Sequence, residues 1–416
     1  MQAVIAIPPG QALQQFGGAE QALMQEVAGV PLLVRVIGTA IRAGADSVVV
    51  IWPDDVDSSI WQRCAASPPL RGLKECKLFR SPMFDPRSAL SWTEIATCLE
   101  DQFLWLPWNF ITHKRALSGL SPMPVRPWNW DTPTLIEKRV VLYGTKVRLT
   151  SGRPVDGVPM TSRADVGRAE RFLIAHSGKP LDGIYSKFNR LLCRPAVRLL
   201  THTGVTPNWV TVGGLVVAIV AAFLFARGSY ANYAAGALLF FLSGLFDEMD
   251  GMLARIKFTE SAFGTWFEGF VDNATYLLVF SGITAGLYRQ RGRHELIYGL
   301  ALLTGCVFSF IAIALQRRVA TAADRPHEYS GRMNQLMDAD SSNWISFITR
   351  QVHVFIKKGV AIHYLLIFTL AGGLPLFLRL AAFGSNLTWV LALYFNRRFF
   401  GRQEIPGTEK IIKNAA

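Results

Sequence analysis

Six apolar runs in the second half of the chain constrain its fold more than any other feature. Asn208–Ala226, Tyr230–Phe246, Asn273–Tyr288, Leu296–Gln316, Gly359–Leu378 and Leu380–Asn396 contain no Asp, Glu, Lys or Arg. A bilayer-spanning helix needs about 20 mostly apolar residues, and each run reaches or approaches that length once its flanks are added. One such run can be the buried helix of a soluble protein. Six in succession predict a transmembrane bundle over 205–400. Gly372-Gly373 and Pro375 blur the boundary between the last two runs. Charged residues make up 18% of the 416 and hydrophobic ones 50%. That excludes a disordered chain, and an ordinary soluble enzyme, where about 25% are charged.

The first part of the chain, 1–175, has a different texture. Ala3–Ile7 and Ser47–Trp52 are strand-like apolar runs, with a helical pattern over Pro31–Ala43 between them. Phe103–Pro107 and Val140–Tyr143 are further strand candidates. Strands alternating with helices predict an α/β domain with a mostly parallel sheet. The fold class expected is thus multi-domain: an α/β domain, then an all-α six-helix membrane domain. Met1–Pro9 has neither the basic start nor the cleavage pattern of a signal peptide.

Residues 176–204 join the two parts. There Ile184, Phe188, Leu191, Leu192 and Leu199 share one helical face, and Lys187, Arg190, Arg194 and Arg198 share another. This predicts an interfacial helix with its basic face toward anionic lipid. With such hydropathy, the net charge of +13 fits anionic lipid or a phosphate-bearing substrate rather than nucleic acid. Basic residues at Arg317, Arg318, Lys357, Lys358, Arg397, Arg398 and Arg402 place both termini, and a tail over 401–416, in the cytoplasm of a multi-pass cell-membrane protein. Arg289, Arg291 and Arg293 run against that orientation. The five scattered cysteines form no close pair, which predicts a reducing compartment and no disulfide framework. The seven histidines show no metal-ligand spacing, so structural roles are expected for them.

Acids inside membrane helices are costly and mark function. Asp247 and Asp250 close the second run, three residues apart, and Glu268 and Asp272 precede the third, four apart. Each pair lies on one helix face, and adjacent antiparallel helices bring the pairs together at the cytoplasmic end. Converging carboxylates need cations, and oxygen ligands favour Mg²⁺, Mn²⁺ or Ca²⁺ over zinc. Two clamped divalent ions suit transfer at phosphorus. Small Gly251 and Ala254 permit close approach of a nucleotide or helix, and Arg255 can pair with phosphate.

The stretch from Asp247 through Asp250-Gly251, Ala254-Arg255 and Gly264 to Glu268 and Asp272 resembles the signature of the CDP-alcohol phosphotransferase family, D-x2-D-G-x2-A-R-x8-G-x3-D-x3-D. Every fixed position matches except Glu268, where the family has its third Asp. The resemblance implies a membrane transferase that moves a phospho-alcohol group from a CDP-alcohol to an acceptor hydroxyl and releases CMP, in phospholipid synthesis. It implies that Asp247, Asp250, Glu268 and Asp272 hold two ions (Mg²⁺ or Mn²⁺), with Asp272 also the general base. It assigns Asn208, Thr211, Gly251, Ala254, Arg255, Ser261 and Gly264 to the CDP-alcohol, and implies a homodimer. The alternatives are a catalytically silent membrane scaffold, a CDP-alcohol-binding pseudo-enzyme, or an ion transporter using the acids as its path.

Gly29-Val-Pro31-Leu32-Leu33, Ala43–Asp46 and Val48–Val50 resemble the nucleotidyltransferase fold of sugar-phosphate cytidylyltransferases. The phosphate-loop position reads Pro8-Pro9-Gly10-Gln11, the Pro-Lys pair falls at Gln21-Ala22, and the metal-binding Asp falls at Asn109. The resemblance therefore implies an inactive domain. The domain order is similar to that of fused inositol-1-phosphate cytidylyltransferase/di-myo-inositol phosphate phosphate synthase proteins, so CDP-inositol and CDP-diacylglycerol are both candidate donors.

Overall fold

The computed structural model describes residues 1–70, 75–118, 120, 130–143, 155–178, 183–320, 329–340, 343–346, 349 and 358–400; the expected tail, 401–416, lies outside them. It divides into two units. One is Met1–Gly178 with Arg194–Val205 and Met252–Thr259; the other is Lys179–Cys193 with Thr206–Gly251 and Glu260–Ala416.

The first unit is built on a five-stranded sheet of β1 (Gln2–Ala6), β2 (Ser47–Trp52), β3 (Glu75–Arg80), β4 (Gln102–Trp105) and β6 (Thr134–Glu137), in the order β3-β2-β1-β4-β6. The first four are parallel, and β6 runs antiparallel to β4. All six residues of β2 are buried, as expected of a parallel strand covered on both faces. Helix α1 (Leu32–Arg42) buries nine residues. A small antiparallel pair, β5 (Phe110–Thr112) with β7 (Gly157–Pro159), and helix α2 (Val166–Ala175) complete this part.

Val140–Tyr143 is not a strand. Lys138–Tyr143 is a helix that packs Val140 and Val141 into the core around Trp92 and Phe103. Short apolar runs do not separate strand from helix by pattern. Here the Lys138 amide donates to the Asp101 carbonyl at 2.9 Å and its Nζ to the Leu99 carbonyl at 3.1 Å, which ends the strand and starts the helix.

A buried arginine organises this unit. Arg35, 1% exposed, donates from Nε and Nη2 to the Val27 carbonyl at 3.0 and 2.7 Å and from Nη1 to the Ile256 carbonyl at 3.0 Å. Arg42 donates to the Phe258 carbonyl at 3.0 Å and lies 4.2 Å from the centre of its ring. The Ile256 and Phe258 carbonyls lie at the end of the helix Tyr230–Lys257, where carbonyls lack intrahelical partners. Phe258 itself sits at φ +59°, the left-handed conformation of a helix cap. Burial pushes the Arg35 guanidinium down to about 9, so it keeps its charge and all its donors at neutral pH.

The second unit contains α4 (Pro207–Arg227), α5 (Tyr230–Lys257, ending in the first unit), α6 (Ala262–Arg291), α7 (Arg293–Ala320), α8 (Lys358–Leu370) and α9 (Leu374–Phe400). α4, α6, α7 and α9 are long and apolar enough to cross a membrane, and α8 is a shorter apolar helix. The sixfold count is thus not met by length and apolarity alone, because α5 carries the acids at its end and α8 is short. Five of the six expected runs fall within single helices, and the fifth, Gly359–Leu378, spans the break between α8 and α9. The boundary left open by the sequence lies at Gly372, at φ +73°, so that Pro375 falls in the first turn of α9.

Outward side chains such as Val216, Val220, Phe223, Leu300, Phe308 and Ile311 are exposed apolar groups, the surface a lipid-facing bundle needs. Inside, small residues set the spacing. A Cβ at Gly282 would run into the Ala222 carbonyl, and one at Gly286 into the Phe225 carbonyl. This four-residue repeat lets α4 and α6 pack backbone to backbone.

Arg35→Leu should cost about 3 kcal/mol of stability, since it strands buried carbonyls, read as an earlier thermal transition of the detergent-solubilised chain. Gly286→Val should cost roughly 3 kcal/mol by overpacking. Gly384→Ala, where a Cβ meets nothing within 4 Å, should be neutral or stabilising.

Candidate active site

The joining helix α3 (Ile184–Thr201) forms as expected, with Ile184, Phe188, Leu191, Leu192 and Leu199 exposed. One of its cations departs from the expected lipid-facing role. Arg190 is buried, its Nε donating to Glu248 Oε2 at 2.9 Å. Beside a cluster of acids, a charged pair is the arrangement that makes burial of Glu248 tolerable.

The second unit holds a cavity lined by Asn189, Thr211, Asp247, Glu248, Asp250 and Asp272, with Phe240, Val271 and Ile362 among its apolar lining. Its volume of about 60 Å³ is roughly that of two waters. Carboxylate oxygens of Asp247, Asp250 and Glu268 lie within 4.8 Å of one another. Asp272 shares the cavity with Asp247 and Asp250. Carboxylates gathered this closely need a proton or a cation among them.

Asp250 is 3% exposed. Its Oδ2 accepts from Thr211 Oγ1 at 2.5 Å, while its buried Oδ1 has no hydrogen-bond partner among the described residues. A buried carboxylate oxygen without a donor is what a metal ligand looks like when no ion is present. The all-oxygen donor set and the two-water volume fit small divalent cations. The residues here therefore suit the metal role anticipated for them.

The CDP-alcohol residues divide between the units. Thr211 is on the cavity wall. Ser261 caps α6 by accepting from the Gly264 amide at 3.0 Å, and Asn208 Oδ1 lies beside Gly264. Gly251 closes the second unit's part of α5, whereas Ala254 and Arg255 belong to the first unit. There Arg255 Nε donates to the Ser177 carbonyl at 2.6 Å, a contact the sequence did not indicate. Asn189 was also missed: it is 1% exposed, lines the cavity and leaves Oδ1 without a partner among the described residues. Its only signal was a carboxamide inside an otherwise amphipathic pattern.

In the first unit the anticipated phosphate loop is closed off. The Gly10 amide donates to Asp55 Oδ2 at 2.7 Å, so a carboxylate sits where an anion would bind. Asn109 is committed to structure, its Nδ2 donating to the Met160 carbonyl at 2.9 Å and its own carbonyl accepting from the Met160 amide at 2.7 Å. Ala22 is buried. The histidines, for which structural roles are expected from the lack of metal-ligand spacing, include two that the fold brings together. His113 and His176 stack with ring centres 4.8 Å apart and, with Asp156, form a second group of potential metal ligands.

Residues 204–393 match the CDP-alcohol phosphatidyltransferase family. Over 124 residues the chain is 32% identical to an archaetidylinositol phosphate synthase of Methanothermobacter thermautotrophicus, a match spanning 28% of this chain and 60% of that relative. A crystal structure of the phosphatidylinositol phosphate synthase of Mycobacterium tuberculosis with CDP-DAG bound is similar over 53% of this chain and 98% of its own, at 19% identity and a TM-score of 0.33. The family match covers the helices that carry the acid cluster, so the likeness to CDP-alcohol phosphatidyltransferases falls on residues 204–393 and on the candidate site itself.

Proposed function

We propose that this chain transfers a phospho-alcohol group from a CDP-alcohol to an acceptor hydroxyl, releasing CMP, as a step in phospholipid biosynthesis. One observation carries the reading: three carboxylates with oxygens within 4.8 Å, one of them presenting a buried, unpartnered oxygen to a small cavity. Asp247, Asp250, Glu268 and Asp272 would hold two divalent ions, Mg²⁺ or Mn²⁺. Bound ions supply charge stabilisation for the donor's pyrophosphate.

The chain's own groups do the rest. Asp272 takes the proton from the acceptor hydroxyl. The freed oxygen forms a bond to the β-phosphorus, and the bond from that phosphorus to the CMP oxygen breaks. Arg255 holds phosphate charge on the CDP side, with Asn208, Thr211 and Ser261 as polar contacts. Gly251, Ala254 and Gly264 leave room for the nucleotide. Thr211, bonded to Asp250, fixes that carboxylate's orientation.

The donor is CDP-diacylglycerol or CDP-inositol. The archaeal relative's name, a synthase of archaetidylinositol phosphate, supports inositol phosphate among the acceptors to be tried. Residues 1–175 are a nucleotidyltransferase-like domain without activity of its own, a reading supported by the Gly10–Asp55 and Asn109–Met160 bonds. Its donor is then made elsewhere. Residues 176–204 join it to a membrane domain over 205–400, in a homodimer of the cell membrane whose acids face the cytoplasm. A silent scaffold or CDP-alcohol-binding pseudo-enzyme draws support from Glu268 and from the losses in the first domain, but Glu268 still brings a carboxylate oxygen to Asp247 and Asp250.

Purified chain in detergent should release CMP from one of these donors only with Mg²⁺ or Mn²⁺ and an acceptor. The acceptor panel is inositol phosphate, glycerol phosphate and serine. Asp272→Asn should lower the rate by about 10²–10⁴. Glu268→Gln should raise the metal concentration needed for half-maximal rate by more than about tenfold. CMP release that persists unchanged in Asp272→Asn would sink the assignment of the base, and no donor binding at all would favour the scaffold.

A further inference from the structure

The α/β unit carries a second cluster of metal-ligating groups that the transferase chemistry does not use. We propose that His113, Asp156 and His176 form a site for a divalent transition metal of the zinc class.

The three residues are far apart in sequence, and the fold brings them together by backbone pairing. His113 follows directly on β5 and Asp156 directly precedes β7. The two strands pair with Thr112 opposite Gly157, and Thr112 Oγ1 donates to the Asp156 carbonyl at 2.6 Å. His176 is the residue that ends α2. One ligand atom from each residue lies within 4.8 Å of the other two. Both imidazoles aim Nε2 at the same carboxylate oxygen, Asp156 Oδ2, at 3.1 Å from His176 and 4.0 Å from His113.

The rings are held in place. They stack at 4.8 Å with an interplanar angle of 13°. Phe172 packs against both, 4.2 Å from His176 and 6.0 Å from His113 between ring centres. His176 Nδ1 lies 2.9 Å from the Phe172 carbonyl. A carbonyl only accepts, so Nδ1 carries a proton, and Nε2 is the nitrogen that an ion shared with the Asp156 carboxylate would bind. This is the outer hydrogen bond that orients metal-bound histidines. At His113 the Ala116 amide approaches Nδ1 at 3.3 Å, and also the His113 carbonyl at 3.0 Å. Binding through His113 Nε2 moves the ring proton to Nδ1, and the amide keeps its carbonyl partner.

Two imidazoles and one carboxylate select zinc-class ions over Mg²⁺, which prefers all-oxygen sites and retains its water. Three protein ligands leave a fourth position for water or another donor. A bound ion would tie together the end of β5, the start of β7 and the end of α2. The competing explanation is a protonated His176 paired with Asp156, which needs no metal and gives His113 no part.

The test uses the full chain in detergent, equilibrated with Zn²⁺ in a large excess of Mg²⁺ to occupy the membrane acids. Free metal is then removed by gel filtration and bound zinc is counted by elemental analysis. The wild type should retain one zinc per chain. His176→Ala and Asp156→Asn alter side chains 36% and 63% exposed, so both should fold, as elution position and thermal transition will report. Losing a ligand should cost at least as much affinity as losing a ligand's outer partner, roughly 10–100-fold. Asp250→Asn should retain the zinc. Co²⁺ in place of zinc should give a visible absorption band that His176→Ala abolishes. The proposal is overturned if the wild type retains no zinc, if His176→Ala and Asp156→Asn retain it as the wild type does, or if Asp250→Asn alone loses it.

Discussion

Everything in the membrane unit answers to the cost of gathering carboxylates among apolar helices. Asp247, Asp250 and Asp272 line about 60 Å³ of space together with Phe240, Val271 and Ile362, and Glu268 brings a carboxylate oxygen within 4.8 Å of Asp247 and Asp250. Left to themselves they would repel one another and resist burial. The surroundings offset only part of this. Arg190 neutralises the neighbouring Glu248, and Thr211 satisfies one oxygen of Asp250. The other oxygen of Asp250 has no partner among the described residues. The close packing at Gly282 and Gly286 joins α4 and α6, the helices that bring Thr211 and Asp272 to the cavity wall.

Much of this was legible in the sequence, because both signals are local. Apolar runs show up within a stretch of chain, and the acids follow one another at helical spacing from Asp247 to Asp272. What the sequence hid depends on distant segments meeting. Arg190 reads as one more cation on a basic face, and its burial becomes apparent only when Glu248 is opposite it. Val140–Tyr143 reads as a strand because four apolar residues carry no period, and Lys138's bonds to Asp101 and Leu99 decide the matter. His113, Asp156 and His176 have no spacing to find. Their meeting depends on the β5–β7 register and on where α2 stops.

In the first unit the positions singled out by the cytidylyltransferase resemblance are engaged in structural bonds. The parallel sheet and the buried β2 are intact. The loop after β1 has its Gly10 amide on a carboxylate, and Asn109 braces Met160. Arg35 contributes in a different way, satisfying the Val27 and Ile256 carbonyls at once. Sequence elements that once suggest nucleotide chemistry here serve packing and hydrogen bonding within the unit.

The central claim is that the four acids hold a pair of divalent ions. Mn²⁺ electron paramagnetic resonance on the purified chain tests it directly. Two ions held by shared carboxylates should give the broad, exchange-coupled spectrum of a dinuclear site, which Asp250→Asn reduces or removes. An isolated six-line spectrum from a single ion, or no bound Mn²⁺ in the wild type, would contradict the account.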